Sequence, residues 1–267
     1  VVHHILIFQD KSGKARNRVT GGQPGFTNPG FAFTLGEPIT SWAGGSQAQH
    51  RPLGLAVPLA KSADLVLQTH FHPSGKVEQE KTTVGLYFAK QKPARTLVSF
   101  EAPPFFGISA GINIPAGKKD YKVRGNFKIP VDVEVVSVSG HAHLVCESMK
   151  ATAKLPDGTT KSMIYIPKWD FNWQREYIYK EPVKLPKGTI VDVEIIYNNS
   201  DENPANPFNP PKTIRWGEST TSEMGRMLFQ CVAVNEAEVG TLRRAAGTGV
   251  DRLLLDLTKK LPKKKKN

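Results

Sequence analysis

Sulfur is scarce in this chain of 267 residues: two cysteines and four methionines. Two cysteines exclude a disulfide-built scaffold, and the spacing of Cys146 and Cys231 fits neither a zinc ribbon nor a redox dithiol. They form either one disulfide or two buried thiols, and two thiols is the preferred reading. No apolar run reaches the roughly 20 residues of a membrane-spanning helix. Acids are few beside bases, 24 against 36, for a net charge of +12. Six lysines, Lys259, Lys260 and Lys263–Lys266, crowd the last nine residues, and only +6 remains on the body without them. Such a block reads as a solvated tail. Nothing else in the chain reads as a nucleic-acid module. An initiator methionine and a signal-peptide pattern are both missing before Val1. The chain therefore reads as a processed product or a fragment, and its start says nothing of compartment.

What is present is turn chemistry and short β-rich runs. The chain carries 20 Pro and 23 Gly, with Val, Ile, Thr and aromatic residues gathered between them. This predicts an all-β protein. Strands are expected at Val1–Phe8, Asp64–His72, Thr82–Ala89, Thr96–Glu101, Ile108–Ile114, Lys122–Ile129, Val131–Cys146, Thr160–Ile166, Tyr177–Tyr179, Thr189–Tyr197 and Met224–Val234. Gln9–Gly54, including Phe31–Leu35, reads as loops and short strands. Asn198–Pro211 reads as a long ordered loop, because proline fixes φ and lacks a donor. After Asn235 the period changes. Val239, Leu242, Ala246, Val250, Leu253, Leu254 and Leu257 recur at helical steps, with Asn235 and Glu238 as a cap, so an amphipathic helix is expected within Asn235–Lys260. The architecture read from this is two antiparallel, jelly-roll-like β-sandwiches, residues 1–95 and 96–234, followed by a helix and Lys-rich tail, 235–267.

Six of the seven histidines fall in three strand-borne pairs: His3/His4, His70/His72 and His141/His143. In an extended segment residues i and i+2 share a face, so His141 and His143 point the same way. Two neutral imidazoles side by side are half of a metal site. His3 and His4 are adjacent, so an ideal strand would set them on opposite faces. One ion can take both only if the strand is bulged or twisted there, or if one imidazole uses its nearer nitrogen.

Val2-His3-His4-Ile5, Leu67-Gln68-Thr69-His70, His141-Ala142-His143 and Glu223-Met224 occur in a recognisable order and spacing. Trp169–Gln174, Leu185-Pro186-Lys187-Gly188, Asn199-Ser200, Asn203-Pro204, Asn206-Pro207 and Trp216-Gly217-Glu218 support them. With these the chain, from residue 1 to about 235, resembles the copper type II, ascorbate-dependent monooxygenases. That family includes peptidylglycine α-hydroxylating monooxygenase and dopamine β-monooxygenase, and the likeness is greatest to its bacterial members. The resemblance implies two coppers per chain in two sandwich domains. His3, His4 and His70 would hold an electron-transfer copper, with Gln68 matching a family glutamine close by. His141, His143 and Met224 would hold the copper that binds dioxygen and would be the catalytic set. It implies hydroxylation of a C–H bond in a small-molecule substrate, with ascorbate or another small reductant as electron donor. It also implies a periplasmic or secreted setting, further domains upstream in the parent chain, and an edge strand missing from the first sandwich. The thioether is the informative ligand, since soft sulfur favours Cu(I) and zinc rarely takes methionine.

Two positions depart from the family. Peptide-hydroxylating members carry an arginine two residues before the His-x-His and a tyrosine four after the methionine. Ser139 and Leu228 stand there, which argues against an amidating enzyme. Other readings stay open. His72 is either a hydrogen-bond partner of the first site or a turn residue, and His50 reads as a surface loop residue. Met149 and Met163 read as core, and Met227 faces away from Met224. Trp169, Phe171 and Trp173 read as core or cleft wall, and Asp201 with Glu202 as a solvated loop face. As a whole, the alternative to an oxygenase is a copper-binding or electron-transfer module of a larger protein. A non-catalytic sandwich that binds sugar or protein fits less well with complete ligand triads.

Overall fold

The computed structural model describes residues 2–22, 25–27, 36–44, 46, 51, 54–72 and 74–247. The protein is mostly β, with antiparallel sheets packed as sandwiches and one C-terminal helix. It divides into two compact units, Val1–Ala94 and Arg95–Asn267.

The described part of the first unit contains a three-stranded antiparallel sheet in the order β2-β1-β3, from β1 (Val2–Asp10), β2 (Glu37–Ala43) and β3 (Asp64–Phe71). Asp10 ends β1 and ties off the chain behind it. Its carboxylate accepts from the Ala15 N–H at 2.8 Å and from the Ser12 N–H and hydroxyl at 2.7 Å. Those donors, Ala15 first, hold its pKa down from 3.8 to about 2. The folded state thus prefers the anion. The stabilisation is complete above the unfolded value and is lost as pH falls from 3.8 toward about 2. Melting temperature followed by circular dichroism is expected to drop across that window, and Asp10→Asn should flatten the drop.

The second unit is a sandwich of two four-stranded sheets, β10-β7-β13-β4 and β6-β11-β8-β9. The first contains β4 (Leu97–Ala102), β7 (Val133–Ala142), β10 (Glu176–Leu185) and β13 (Gly225–Ala233). The second contains β6 (Tyr121–Lys128), β8 (Cys146–Lys154), β9 (Thr160–Ile166) and β11 (Ile190–Tyr197). A small pair, β5 (Asn113–Ile114) with β12 (Ile214–Arg215), completes it. Alternate residues of both sheets meet in one core that includes Val133, Val135, Val138, Met149, Val191, Ile195, Met227 and Phe229. Phe100 of β4 stacks on Phe229 of β13 at 5.0 Å and on Phe127 of β6, across the sandwich, at 4.3 Å. Cys146 and Cys231 are separate, buried thiols.

Several expectations are corrected. Thr82–Ala89 is not a strand. No partner strand lies against it among the described residues, and Tyr87 and Phe88 are 82% and 76% exposed. Ile108–Ile114 is a 3-10 segment, Phe105–Ala110, followed only by the two residues of β5. Gly107 and Gly111 take φ of +86° and +62°, which a strand does not allow. β8 went unread because its Ala, Lys, Glu and Ser residues carry weak strand preference. β10 runs on past Tyr179 through Pro182, which an edge strand tolerates where its pairing with β7 slips. The C-terminal element begins with Asn235 Oδ1 capping the Ala237 N–H at 3.1 Å, and residues 239–247 are α-helical with Leu242 buried. Val250, Leu253, Leu254, Leu257, the lysine tail, His50 and Phe31–Leu35 lie outside the described residues. Among the described residues no helix is long and apolar enough to cross a membrane.

Candidate metal centres

β7 carries His141 because of a bulge. Its pairing with β13 slips between Gln230 and Cys231, so Ser137 opposes Gln230 while Val135 opposes Cys231. Val136 is the extra residue. Unbroken alternation would put His141 on the side of Val133 and Val135, in the core. Past the bulge, Val138 and Ala142 turn into the core instead, and Ser137, Ser139 and His141 share the outer face. Gly140 is required beside it. A Cβ there would lie 2.7 Å from the Met149 sulfur and 3.3 Å from Trp169.

The rings of His141 and His143 stand perpendicular, 5.4 Å apart. Each is oriented through Nδ1. His143 Nδ1 is 2.9 Å from the Ser222 carbonyl oxygen, which can only accept. His141 Nδ1 is 2.7 Å from Gln174 Oε1. The Gln174 amide nitrogen donates to the carbonyls of Ala142 and Phe171, so its oxygen must face the histidine. Both imidazoles therefore carry their proton on Nδ1 and present a lone pair on Nε2. This is the state a metal ligand needs, so the residues fit a copper ion.

Met224 directly precedes β13, and His143 directly follows β7. The paired register ends with Arg226 against His141 and Gly225 against Ala142; continued one residue past the ladder, it would set Met224 opposite His143. Residues directly opposite in an antiparallel pair share a face. Gly225, Met227 and Phe229 alternate inward, which carries Met224 outward with Arg226 and His141. Met224 is buried to 8% exposure yet is not part of the sandwich core, to which Met149, Met163 and Met227 all belong. The Met224 carbonyl accepts from the Tyr197 hydroxyl at 2.8 Å.

In the first unit the β1–β3 pairing slips between Val2 and His4, leaving His3 out of register. The expectation that one of the two neighbours leaves regular strand geometry is met there. The slip brings His3 Nδ1 within 2.8 Å of His4 Nδ1. His4 pairs with His70 across the strands, with ring centroids 4.1 Å apart. Burial lowers the pKa of both His3 and His70, and His70 and His72 lower His3 further, so these rings favour the neutral form. Gln68 lies one pleat from His70, and its buried Oε1 accepts no hydrogen bond among the described residues. The composition and proximity fit a copper ion. The His3–His4 Nδ1 separation is one that two nitrogens, each about 2 Å from a single ion, can span. Among the described residues no group of three or more His, Cys, Asp or Glu side chains is arranged to hold a metal ion.

Sequence reasoning missed Phe105, Phe106 and Arg226 beside the second site, and read Phe171 only as core or cleft wall. Phe106 packs edge-on to His141 at 5.2 Å, and the Arg226 guanidinium lies 3.6 Å from the centre of its ring. Arg226 is paired with Glu101 at 2.5 Å. Phe105 and Phe106 both have positive φ, +57° and +53°, a strained state for bulky residues. The Trp216 indole donates to the Phe106 carbonyl at 3.0 Å and helps hold that turn. Phe171 is edge-on to His143 at 6.1 Å. Ser139 and Leu228, the departing positions, face each other across β7 and β13, one pleat from His141 and Arg226.

No protein-family model matches the chain, and no curated protein matches it. Among solved structures it is similar to coat proteins of infectious bursal disease virus. One is in the T13 viral particle, at 10% identity and TM-score 0.27, covering 88% of this chain and 50% of that one. Another is a VP2 subviral particle, at 11% identity and TM-score 0.24, covering 91% and 54%. The chain spans about half the length of those proteins. A likeness this remote carries no argument about function.

Proposed function

We propose that the chain is a copper-dependent monooxygenase that hydroxylates a C–H bond of a small molecule with O2 and an external reductant such as ascorbate. The observation that carries this reading is the fixed tautomer of both His141 and His143, each with its proton on Nδ1 and its lone pair on Nε2, beside the strand end that Met224 precedes. Two imidazoles and a thioether suit a metal that must rest as Cu(I) and still leave a position open. A copper held there would supply an electron and a place for dioxygen, and a second copper at His3, His4 and His70 would supply the other electron. Gln174 and the Ser222 carbonyl hold both rings in the tautomer that places the lone pair on Nε2. Phe106 and Phe171 stand edge-on to the two imidazoles and supply apolar surface against which a substrate could exclude water. Ser139 and Leu228 do not supply the arginine and tyrosine with which peptide-hydroxylating members hold a peptide carboxylate, which argues against an amidating enzyme.

The test is oxygen consumption by the copper-loaded chain with ascorbate and a panel of small molecules, with isotope-labelled O2 traced into product. Uptake that needs both copper and reductant, with label in a hydroxylated product, is the expected result. Copper that binds and cycles without oxygen uptake would leave the electron-transfer module as the correct reading.

A further inference from the structure

Glu223 is fully buried at 0% exposure, although nothing in the chemistry above uses it. Its two oxygens are spent on one turn. Oε2 accepts from the His143 N–H at 3.1 Å, and Oε1 from the Val145 N–H at 3.3 Å. Its own backbone is fixed on both sides: its N–H donates to the Arg215 carbonyl at 3.0 Å, and its carbonyl accepts from the Gly217 N–H at 3.1 Å. The residue before it supplies the carbonyl that orients the His143 ring, and the residue after it is Met224. One side chain thus joins the turn that carries one candidate ligand to the strand that begins at another.

We propose that Glu223 is the positioning residue that sets the Met224 sulfur against the His143 imidazole. The inference rests on the two-copper reading of this chain. Two N–H donors meet the carboxyl, one at each oxygen, and only a group that accepts at both oxygens satisfies them. An amide would turn a donor toward a donor, and an apolar residue would leave buried N–H groups without acceptors. Taking a carboxyl group out of water is a poor way to gain stability alone. Its return here is geometric. The β7–β8 turn is held at both N–H groups by Glu223, at the His143 carbonyl by the Trp169 indole at 3.1 Å, and at the Val145 carbonyl by the Asn198 N–H at 2.8 Å. Of these anchors only Glu223 is continuous with Met224.

The experiment compares the full chain with Glu223→Gln, using Met224→Leu as reference, each loaded with Cu(I) and examined by X-ray absorption at the copper edge. Wild type should show a sulfur neighbour that Met224→Leu lacks. Glu223→Gln should still take two coppers, with the sulfur neighbour weakened or lost. Its Cu(I) affinity at this site should fall roughly 10- to 100-fold, the usual size of an outer-shell effect. A folded Glu223→Gln with unchanged sulfur scattering and affinity, and only a lower melting temperature, would make Glu223 a structural residue and overturn the proposal. Should Glu223→Gln fail to fold, Glu223→Asp is read in the same way, since it keeps two accepting oxygens on a shorter stem. Failure of the functional reading shows elsewhere: wild type itself would take no copper at this site or show no sulfur, and the proposal would fall with it.

Discussion

His141→Ala is expected to remove one of two coppers per chain and to leave the other bound. His70→Ala should remove the second and spare the first. The ligands of the two centres belong to different compact units, His3, His4 and His70 to one and His141, His143 and Met224 to the other. Loss of a ligand in one therefore need not disturb the other. His141 lies half-buried on the outer face of β7, away from the sandwich core, so its removal should leave the fold intact. The main structural consequence is that Gln174 Oε1 loses the ring N–H it accepts. Outer-shell changes alone commonly cost about 10- to 100-fold in metal affinity or activity, and a missing ligand should cost at least that. Metal analysis after dialysis gives the count directly. If either substitution released both ions, the two-centre reading would be wrong.

Met224→His is expected to keep copper bound but to abolish most oxygen-dependent turnover. A nitrogen in place of soft sulfur favours Cu(II), and the reduced state that must meet O2 is disfavoured. Turnover should fall far more than copper affinity. Met224→Leu separates this effect from packing. It conserves volume, so its cost to stability should stay below about 1.5 kcal/mol. The absence of Met224 from the core cluster points the same way. Turnover should nonetheless be lost with the sulfur. Full turnover in Met224→Leu, followed by oxygen uptake beside a melting curve, would remove Met224 from the oxygen-binding set and leave only the copper-binding module.

Much of the sandwich was legible in the chain. β9 runs Thr160–Ile166, as its β-branched and aromatic residues and the preceding Leu155–Gly158 turn predict, and β4, β6, β11 and β13 lie within a residue or two of expectation. These strands have strong local preference and clear turn signals. β8 has neither. It is a strand because β11 pairs with it along its whole length, and that contact is not local. Thr82–Ala89 shows the converse. Its composition is that of a strand, but a strand exists only where another backbone takes up its hydrogen bonds.

The candidate sites divide along the same line. The sequence by itself determined which residues are chemically able to hold copper: His-x-His, the double histidine, His70 and Met224. Spacing of two along a strand is a local rule and predicts that His141 and His143 point together, but β7 ends at Ala142 and His143 lies in the turn after it. Tertiary structure decided everything that depends on a second strand. The bulge at Val136 turns His141 out of the core, although strict alternation from Val133 would have buried it. The slip at His3 brings that ring to His4. The register of β7 on β13 pairs Ala142 with Gly225, the neighbours of His143 and Met224, across about eighty residues of chain. Gln174 and Ser222 then fix the imidazoles, and Glu223 the His143 backbone, through hydrogen bonds over 33, 79 and 80 residues of separation. No pattern in the sequence signals these, because a hydrogen bond between distant residues is set by where the folded backbone puts them.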